Sequence, residues 1–453
     1  AFTIPGHKQK AHRLDQGLGA VVDSDTPLYG GLDEIKLTEG TLKKAEELAA
    51  SLWGADYARF STGGSTHANQ AIILALGKPG DKVAVTRTAH RSVLSALVLT
   101  GLEPIWLTPE IDSGTGVPTG IPVSELERVL DQKPIALLLT EPGYLGTISE
   151  LSALIKKAHE NSIPVIVDAA WGGHFGFNSQ IPQHVLQLGA DALITSVHKA
   201  LPGYSASALL LAQGKLLNLD RIEQSFETTH TTSPAGAPLA SIDGVRALLQ
   251  TRGDQLTGEL VSLVNSFKAA VQAHFDTTIF LNTTDFPSKR FDPVKIVLRA
   301  NILGLSGVDV ERELQQANIR VEMADRDTIV FLATLADTAE DFTVLENALV
   351  PILQKLQGPT RQTQTSLSWS VVPTVAISMR DAYFADTEFV LAKDAIGRIS
   401  ADLIAPYPPG VAVVAPGEVL TEQIVSGLAA TQKAGVRIAY ASDSTLATYR
   451  VTK

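Results

Sequence analysis

The stretch that decides the fold is Asp191-Ala192-Leu193-Ile194-Thr195-Ser196-Val197-His198-Lys199, an apolar run that ends in hydroxyls, an imidazole and an amine. A short apolar run of this kind reads as a strand buried on both faces of a parallel sheet. Open α/β sheets take their ligands at strand ends, so the polar residues stand where a ligand would sit. A lysine there can be desolvated enough to attack an aldehyde, although a lone lysine after a strand is usually just solvated.

Upstream, Pro164-Val165-Ile166-Val167-Asp168 repeats the pattern with an acid at its end, followed by Ala169-Ala170-Trp171-Gly172-Gly173-His174. An aspartate in this place is commonly a helix cap. Paired with Lys199 it suits a pyridoxal enzyme, in which a carboxylate keeps the pyridine nitrogen protonated so that the ring can accept electrons. The small Ala170 leaves room for a flat ring. Ser61-Thr62-Gly63-Gly64-Ser65-Thr66-His67-Ala68-Asn69 precedes an apolar helical stretch. Glycines, hydroxyls and free amides at a helix start form an anion site, and Gly64, Ser65 and Thr66 are the expected phosphate ligands. An ordinary capped loop is the competing reading of the same residues. Thr88-Ala89-His90-Arg91-Ser92 follows another apolar run, which puts His90 at the ligand end of the sheet, where it can stack on the ring.

Working outward, helices are expected over residues 41–52, 66–75, 92–99, 123–130 and 150–159, and strands over 82–86, 104–107, 135–139, 164–168, 192–196 and 206–211. The alternation predicts an α/β fold with a mostly parallel sheet covered by helices. A long helical pattern from 243 towards 276 connects to a smaller α/β unit with strands over 294–298, 319–322 and 328–332 and helices over 308–316 and 338–356. A polar stretch, 358–368, precedes a last segment built on 380–384, 394–398 and 411–414. The expected division is an arm (1–39), a large domain (40–288) and a small C-terminal domain (289–453) with a break near 358–368.

The chain has 453 residues, 45% hydrophobic and 19% charged, enough to bury a sizeable core. A net charge of -11, with signs interspersed, gives no attraction for nucleic acid or an anionic membrane. There are no cysteines, which excludes disulfides, thiolate metal sites and cysteine nucleophiles, and no metal site is assigned. No signal-like or membrane-spanning run is found, so a soluble, cytoplasmic protein is expected.

Assembled in this order, the residues resemble the fold-type-I ornithine, lysine and arginine decarboxylases, in the short bacterial form. The resemblance rests on Pro5-Gly6-His7-Lys8, Gly31-Leu32-Asp33-Glu34, Gly64-Ser65-Thr66 with Asn69, His90 with Ser92, Asp168-Ala169-Ala170-Trp171 and Ser196-Val197-His198-Lys199. Past the lysine it includes Thr231-Thr232-Ser233-Pro234, Glu322 with Asp325, Tyr407-Pro408-Pro409-Gly410 and Pro416-Gly417-Glu418.

The resemblance implies a pyridoxal 5'-phosphate enzyme that decarboxylates a basic amino acid to a di- or polyamine. Lys199 would carry the cofactor as a Schiff base, Asp168 would hold the pyridine nitrogen and His90 would stack on the ring. Gly64, Ser65, Thr66, Ser196 and His198 would contact the phosphate. Separately from the resemblance, protonation at Cα needs a general acid, for which Lys199 and His198 are the candidates. The resemblance also implies a homodimer or higher homo-oligomer with interfacial sites, in which Thr232 and Ser233 reach the neighbour's cofactor. Two features depart from short-form relatives: Ala169 and Trp171 stand where Asp-Glu-Ala-His is usual, and Gly63-Gly64 where Asn-Gly is frequent. Trp171 resembles the longer inducible enzymes instead.

Recognition of a distal amine or guanidinium needs an acceptor, for which Glu322 and Asp325 are candidates. His174, Arg380 and Arg398 have surface or packing roles as their plainest reading. Transamination, decarboxylation coupled to oxidation, and a non-catalytic regulatory homologue are the competing functions.

Overall fold

The computed structural model describes residues 7, 8, 10, 22–26, 32, 39–287, 290–407 and 410–453. Pro5, Gly6, Gly31, Asp33, Glu34, Pro408 and Pro409 of the motifs above, and most of the expected arm, lie outside the described residues.

Seven strands make one sheet: β1 Tyr57–Ser61, β2 Lys82–Thr86, β3 Glu103–Leu107, β4 Leu137–Thr140, β5 Val165–Asp168, β6 Ala192–Ser196 and β7 Ala208–Ala212. Their spatial order is β1-β7-β6-β5-β4-β2-β3. β3, β2, β4, β5 and β6 run parallel, as their unbroken Val/Ile/Leu runs require when both faces are covered. β7 is antiparallel to both of its neighbours. Thr140, Asp168 and Ile194 are in register across β4, β5 and β6, which brings the polar strand ends to one edge.

β1 was not expected, because Arg59 interrupts its apolar run. The arginine is buried and surrounded by Glu46, Glu223 and Glu227, so its charge is compensated inside the fold. Glu223 and Glu227 lie on the helix Leu219–Thr229, which was also unforeseen.

α1 Gly40–Trp53, α2 Gly64–Leu76, α3 Arg91–Thr100, α4 Val123–Val129 and α5 Leu151–Glu160 supply the crossovers, and each overlaps its expected span. One sheet face packs Leu137, Leu139, Val165 and Val167 against Leu154 and Leu126; the other packs Val83, Val85 and Ile166 against Ile72 and Leu97.

The 37-residue helix Gly236–Gln272 starts earlier than expected. Leu239, Ile242 and Leu249 join the first core, whereas Val264, Phe267 and Val271 join a separate one with Ile296, Leu298 and Ile329. One helix therefore serves two cores, and truncating Phe267 to alanine would cost about 3–5 kcal/mol.

That second core covers a three-stranded antiparallel sheet of Ile296–Arg299, Thr328–Phe331 and Met323–Ala324. The strand expected over 319–322 is thus displaced to Met323–Ala324. Residues 411–414 form no strand; Val414 makes only an isolated bridge to Ile404. That segment is instead fixed to the large sheet by a buried ion pair. Arg87 donates to both Glu418 oxygens, at 2.6 and 3.0 Å, and to the Val413 carbonyl, while Trp106 donates to Glu418 at 3.0 Å.

Candidate active site

A cavity of about 730 Å³ opens at the carboxyl ends of β4, β5 and β6. It is lined by Gly64, Ser65, Thr66, His90, Asp168, Ala170, Ser196, His198 and Lys199, so nine of the expected residues meet in one space.

Gly64 opens α2 at φ +69°, a left-handed conformation that L side chains rarely adopt. The turn swings the helix start into the cavity, and Ser65 meets Ser196 there, Oγ to Oγ, at 2.8 Å. Hydroxyls from the start of α2 and the end of β6 thus converge beside the first turn of a helix, a ready site for a phosphate. His198 turns Nδ1 to the Ser207 carbonyl at 3.0 Å. A ring nitrogen facing a carbonyl must carry the proton, which leaves Nε2 to accept or to hold a second proton.

Asp168 is buried and fixed at both oxygens. Asn69 donates to Oδ2 at 2.8 Å, and the Ala170 amide donates to Oδ1 at 3.1 Å. Asn69 also donates to Ser92 Oγ at 3.0 Å, and Ser92 Oγ meets His90 Nδ1 at 2.8 Å. Asp168, Asn69, Ser92 and His90 therefore form one chain of hydrogen bonds across three elements. His90 caps α3 by accepting from the Ser92 amide, so its structural and ligand-facing readings coexist. Burial pushes its imidazole below the usual range and the Lys199 charge adds to this, against the pull of Asp168. Because Nδ1 accepts from the Ser92 amide, the neutral ring carries its proton on Nε2.

Burial also lowers the Lys199 amine, against Asp168 and Glu322, which favour its charge. Its Nζ lies 4.3 Å from the Trp171 ring centroid. Trp171 receives Tyr144 edge-on at 5.4 Å, and Tyr144 donates to Glu322 Oε1 at 2.7 Å. Glu322 lines the cavity, unlike Asp325, which accepts from the Asp327 and Thr328 amides and the Thr328 hydroxyl and is spent on a turn. Glu141 also lines the cavity, held by Ser149, and burial pushes its carboxyl up to about 7.

Several expected residues stand elsewhere. Thr232 and Ser233 are exposed and absent from this cavity's lining. His174 is paired with Asp292 in the interior at 3.1 Å. Arg380 caps the Val98 and Leu99 carbonyls at the end of α3, and Arg398 bonds Glu388 and the Thr452 carbonyl. Sequence reading quoted Asn69 without giving it a role, and it passed over Tyr144, Glu141 and Lys295.

The donor set fits a flat, phosphorylated pyridine aldehyde. It offers hydroxyls at a helix start, a carboxyl group fixed as an acceptor, an imidazole on the same cavity wall and a desolvated primary amine. Ala170 presents only a methyl group to the same space.

The chain has relatives among known proteins. The sequence profile of the Orn/Lys/Arg decarboxylase major domain matches residues 1–286, and that of the Orn/Lys/Arg decarboxylase C-terminal domain matches residues 361–438. The chain is 35% identical over 464 residues to the arginine decarboxylase of Bacillus subtilis (strain 168), covering 100% of this chain and 94% of the relative. It is 33% identical to the arginine decarboxylase of Halalkalibacterium halodurans, with 100% and 94% covered. Among solved structures, the lysine decarboxylase of Francisella novicida superposes with a TM-score of 0.86 at 19% identity, over 100% of this chain and 79% of that one.

Proposed function

The chain belongs to the Orn/Lys/Arg decarboxylase family, and from that premise we propose that it is a pyridoxal 5'-phosphate-dependent decarboxylase of a basic amino acid. The observation that carries this reading is the meeting, at one sheet edge, of a desolvated Lys199 with an Asp168 held as an acceptor by Asn69 and the Ala170 amide. Arginine is the favoured substrate, because the relatives of 33–35% identity that span the whole chain are named arginine decarboxylases.

When bound, the cofactor supplies an electron sink for the bond broken at the substrate's Cα. The chain's own residues supply binding, orientation and proton handling. Asp168 would hold the pyridine nitrogen, and the Asn69 amide keeps the carboxyl group from turning. Ser65, Thr66, Ser196 and His198, with the Gly64 turn, would hold the phosphate. His90, braced by Ser92 and with burial disfavouring its charged form, would stack on the ring. Lys199 is the amine that would hold the cofactor covalently, and as a free amine it would handle the proton at the substrate's Cα, with His198 as the other candidate acid.

Glu322 has one oxygen engaged by Tyr144 and is the proposed acceptor for the substrate's distal cation. The exposed Thr232-Ser233 loop is proposed to complete the site of a partner subunit in a homodimer, and supply of polyamine precursors in the cytoplasm is the proposed setting. The test is carbon dioxide release from arginine, lysine, ornithine and neutral amino acids, with Lys199→Ala as control. Release from one basic amino acid, abolished in the variant, is expected. Release from none of them, in protein supplied with cofactor, would overturn the reading.

A further inference from the structure

A buried histidine with no part in the reading above stands beneath the proposed phosphate turn. β1 ends at Ser61 and α2 begins at Gly64, with Thr62 and Gly63 making the turn between them. The Ser61 side chain is fully buried and folds back into this turn. Its Oγ accepts from the Gly63 amide at 3.3 Å and donates to the Gly64 carbonyl at 3.0 Å. A hydroxyl in that place sets the direction in which the first residues of α2 point.

Ser61 is held in turn by His67, whose Nδ1 meets Ser61 Oγ at 2.8 Å. The other ring nitrogen, Nε2, meets the hydroxyl of Thr229 at 3.0 Å, at the last residue of the helix Leu219–Thr229. His67 is 6% exposed, and burial, with His230 nearby, lowers its imidazole to about 4, so near neutrality the ring carries one proton. With the Ser61 proton given to the Gly64 carbonyl, His67 donates from Nδ1 and accepts at Nε2 from Thr229, whose alternative acceptor is the Ser225 carbonyl at 2.8 Å.

Packing fixes the ring. Phe226 lies edge-on to it at 4.7 Å, and His230 is tilted against it at 4.8 Å. A Cβ added at Gly63 would stand 2.7 Å from His67 Cβ, so the turn and the histidine are in direct contact. His230 follows the same helix, with Nδ1 on the Thr231 carbonyl at 3.0 Å and Nε2 3.3 Å from the Thr62 hydroxyl. Residues 61 and 62 are thus each tied to the end of one helix. That helix is itself fixed to β1, because its Glu223 and Glu227 pair with Arg59.

We propose that His67 is a positioning residue for the phosphate site: through Ser61 it holds the turn in the shape that presents Gly64, Ser65 and Thr66 to a phosphate group. The inference rests on the reading of that turn as the cofactor's phosphate site, and His67 builds the site without touching the ligand. A turn already in its binding shape loses less freedom when the ligand arrives, so removing the brace lowers affinity. The ring and aldehyde are assigned to Asp168, His90 and Lys199, so the deficit should follow the phosphate alone.

The test compares two ligands that differ only in that group. Pyridoxal 5'-phosphate and pyridoxal are titrated by absorbance into cofactor-free protein. In His67→Leu the affinity for the phosphorylated ligand is expected to fall about tenfold, the upper value of one hydrogen bond, whereas that for pyridoxal stays within about twofold. His67→Asn, whose amide nitrogen takes the place of Nδ1 towards Ser61, should recover most of the loss. Ser61→Ala should reproduce the phosphate-selective loss, and the double variant Ser61→Ala, His67→Leu should bind no more weakly than the weaker single variant.

Far-ultraviolet circular dichroism checks folding, and Thr229→Val, which removes the ring's other partner, carries the same comparison if His67→Leu does not fold. Equal losses for both ligands, an unchanged affinity for the phosphorylated one, or additive losses in the double variant would overturn the proposal. A parent protein that binds both ligands alike would remove the phosphate-site reading and this inference with it. Absence of carbon dioxide release leaves the binding comparison intact.

Discussion

Asn69 donates its side-chain amide to Asp168 Oδ2 at 2.8 Å, tying the second turn of α2 to the end of β5. The helix whose start presents Ser65 and Thr66 is the helix that fixes the carboxylate, so the two ends of the proposed cofactor site are built on one rigid element. The bond predicts that Asn69→Ala weakens cofactor binding about tenfold, the value of a hydrogen bond to a charged group. Absorbance titration of cofactor-free protein checks this. An affinity equal to the parent's would assign Asn69 to packing alone.

Arg87 and Glu418 are both about 1% exposed, and their pair joins β2 to the segment that follows Val413. Glu418→Ala leaves Arg87 buried and uncompensated, which should cost about 3–5 kcal/mol. The double variant Arg87→Met, Glu418→Met should recover a large part of that loss. Urea denaturation of the three proteins reads both numbers, and additive losses in the double variant would contradict a coupled pair.

His67 and His184 are both lowered to about 4, chiefly by burial. Each is neutral when folded and takes up a proton near its ordinary pKa when unfolded. Between about 6.5 and 4 the unfolded chain binds more protons, so stability falls as pH falls through that window, by about 1.4 kcal/mol per unit per histidine, and levels off below it. His184→Gln should flatten the slope between these limits, as measured by thermal melts at a series of pH values. An unchanged slope would mean that His184 titrates normally in the fold.

Glu141 works in the opposite direction. Burial pushes its carboxyl up to about 7, so the folded chain holds a proton that the unfolded chain releases near its ordinary carboxylate pKa. Its contribution is fully present below about 4.5 and is lost as pH rises through 7. Glu141→Gln should therefore melt higher than the parent above neutrality, with the difference shrinking towards acid pH. A constant difference at all pH values would exclude this titration.

Much of the site was legible because its chemistry sits at the ends of pure apolar runs. β5 ends in Asp168 and β6 runs on to Lys199, and the two runs pair in the sheet as their composition requires. β1 was hidden because Arg59 breaks its run, and only the fold brings Glu46, Glu223 and Glu227 to it. Asp325 and Glu322 look alike in sequence, but a turn consumes the first while the second faces the cavity. Lys295 left no signal at all: a lysine before a strand reads as exposed, and its place beside Trp171 depends on packing against Gly146, far away along the chain. Thr232 and Ser233 are exposed in the single chain, so nothing within it reports their role.

The most direct measurement is the site of covalent attachment. Protein supplied with pyridoxal 5'-phosphate is reduced with borohydride, which fixes the cofactor to the amine that holds it, and its peptides are mapped by mass spectrometry. A cofactor mass on Lys199, absent in Lys199→Ala, is the expected result. Attachment at Lys295 or at scattered surface lysines, or no attachment at all, would contradict Lys199 as the cofactor-bearing residue.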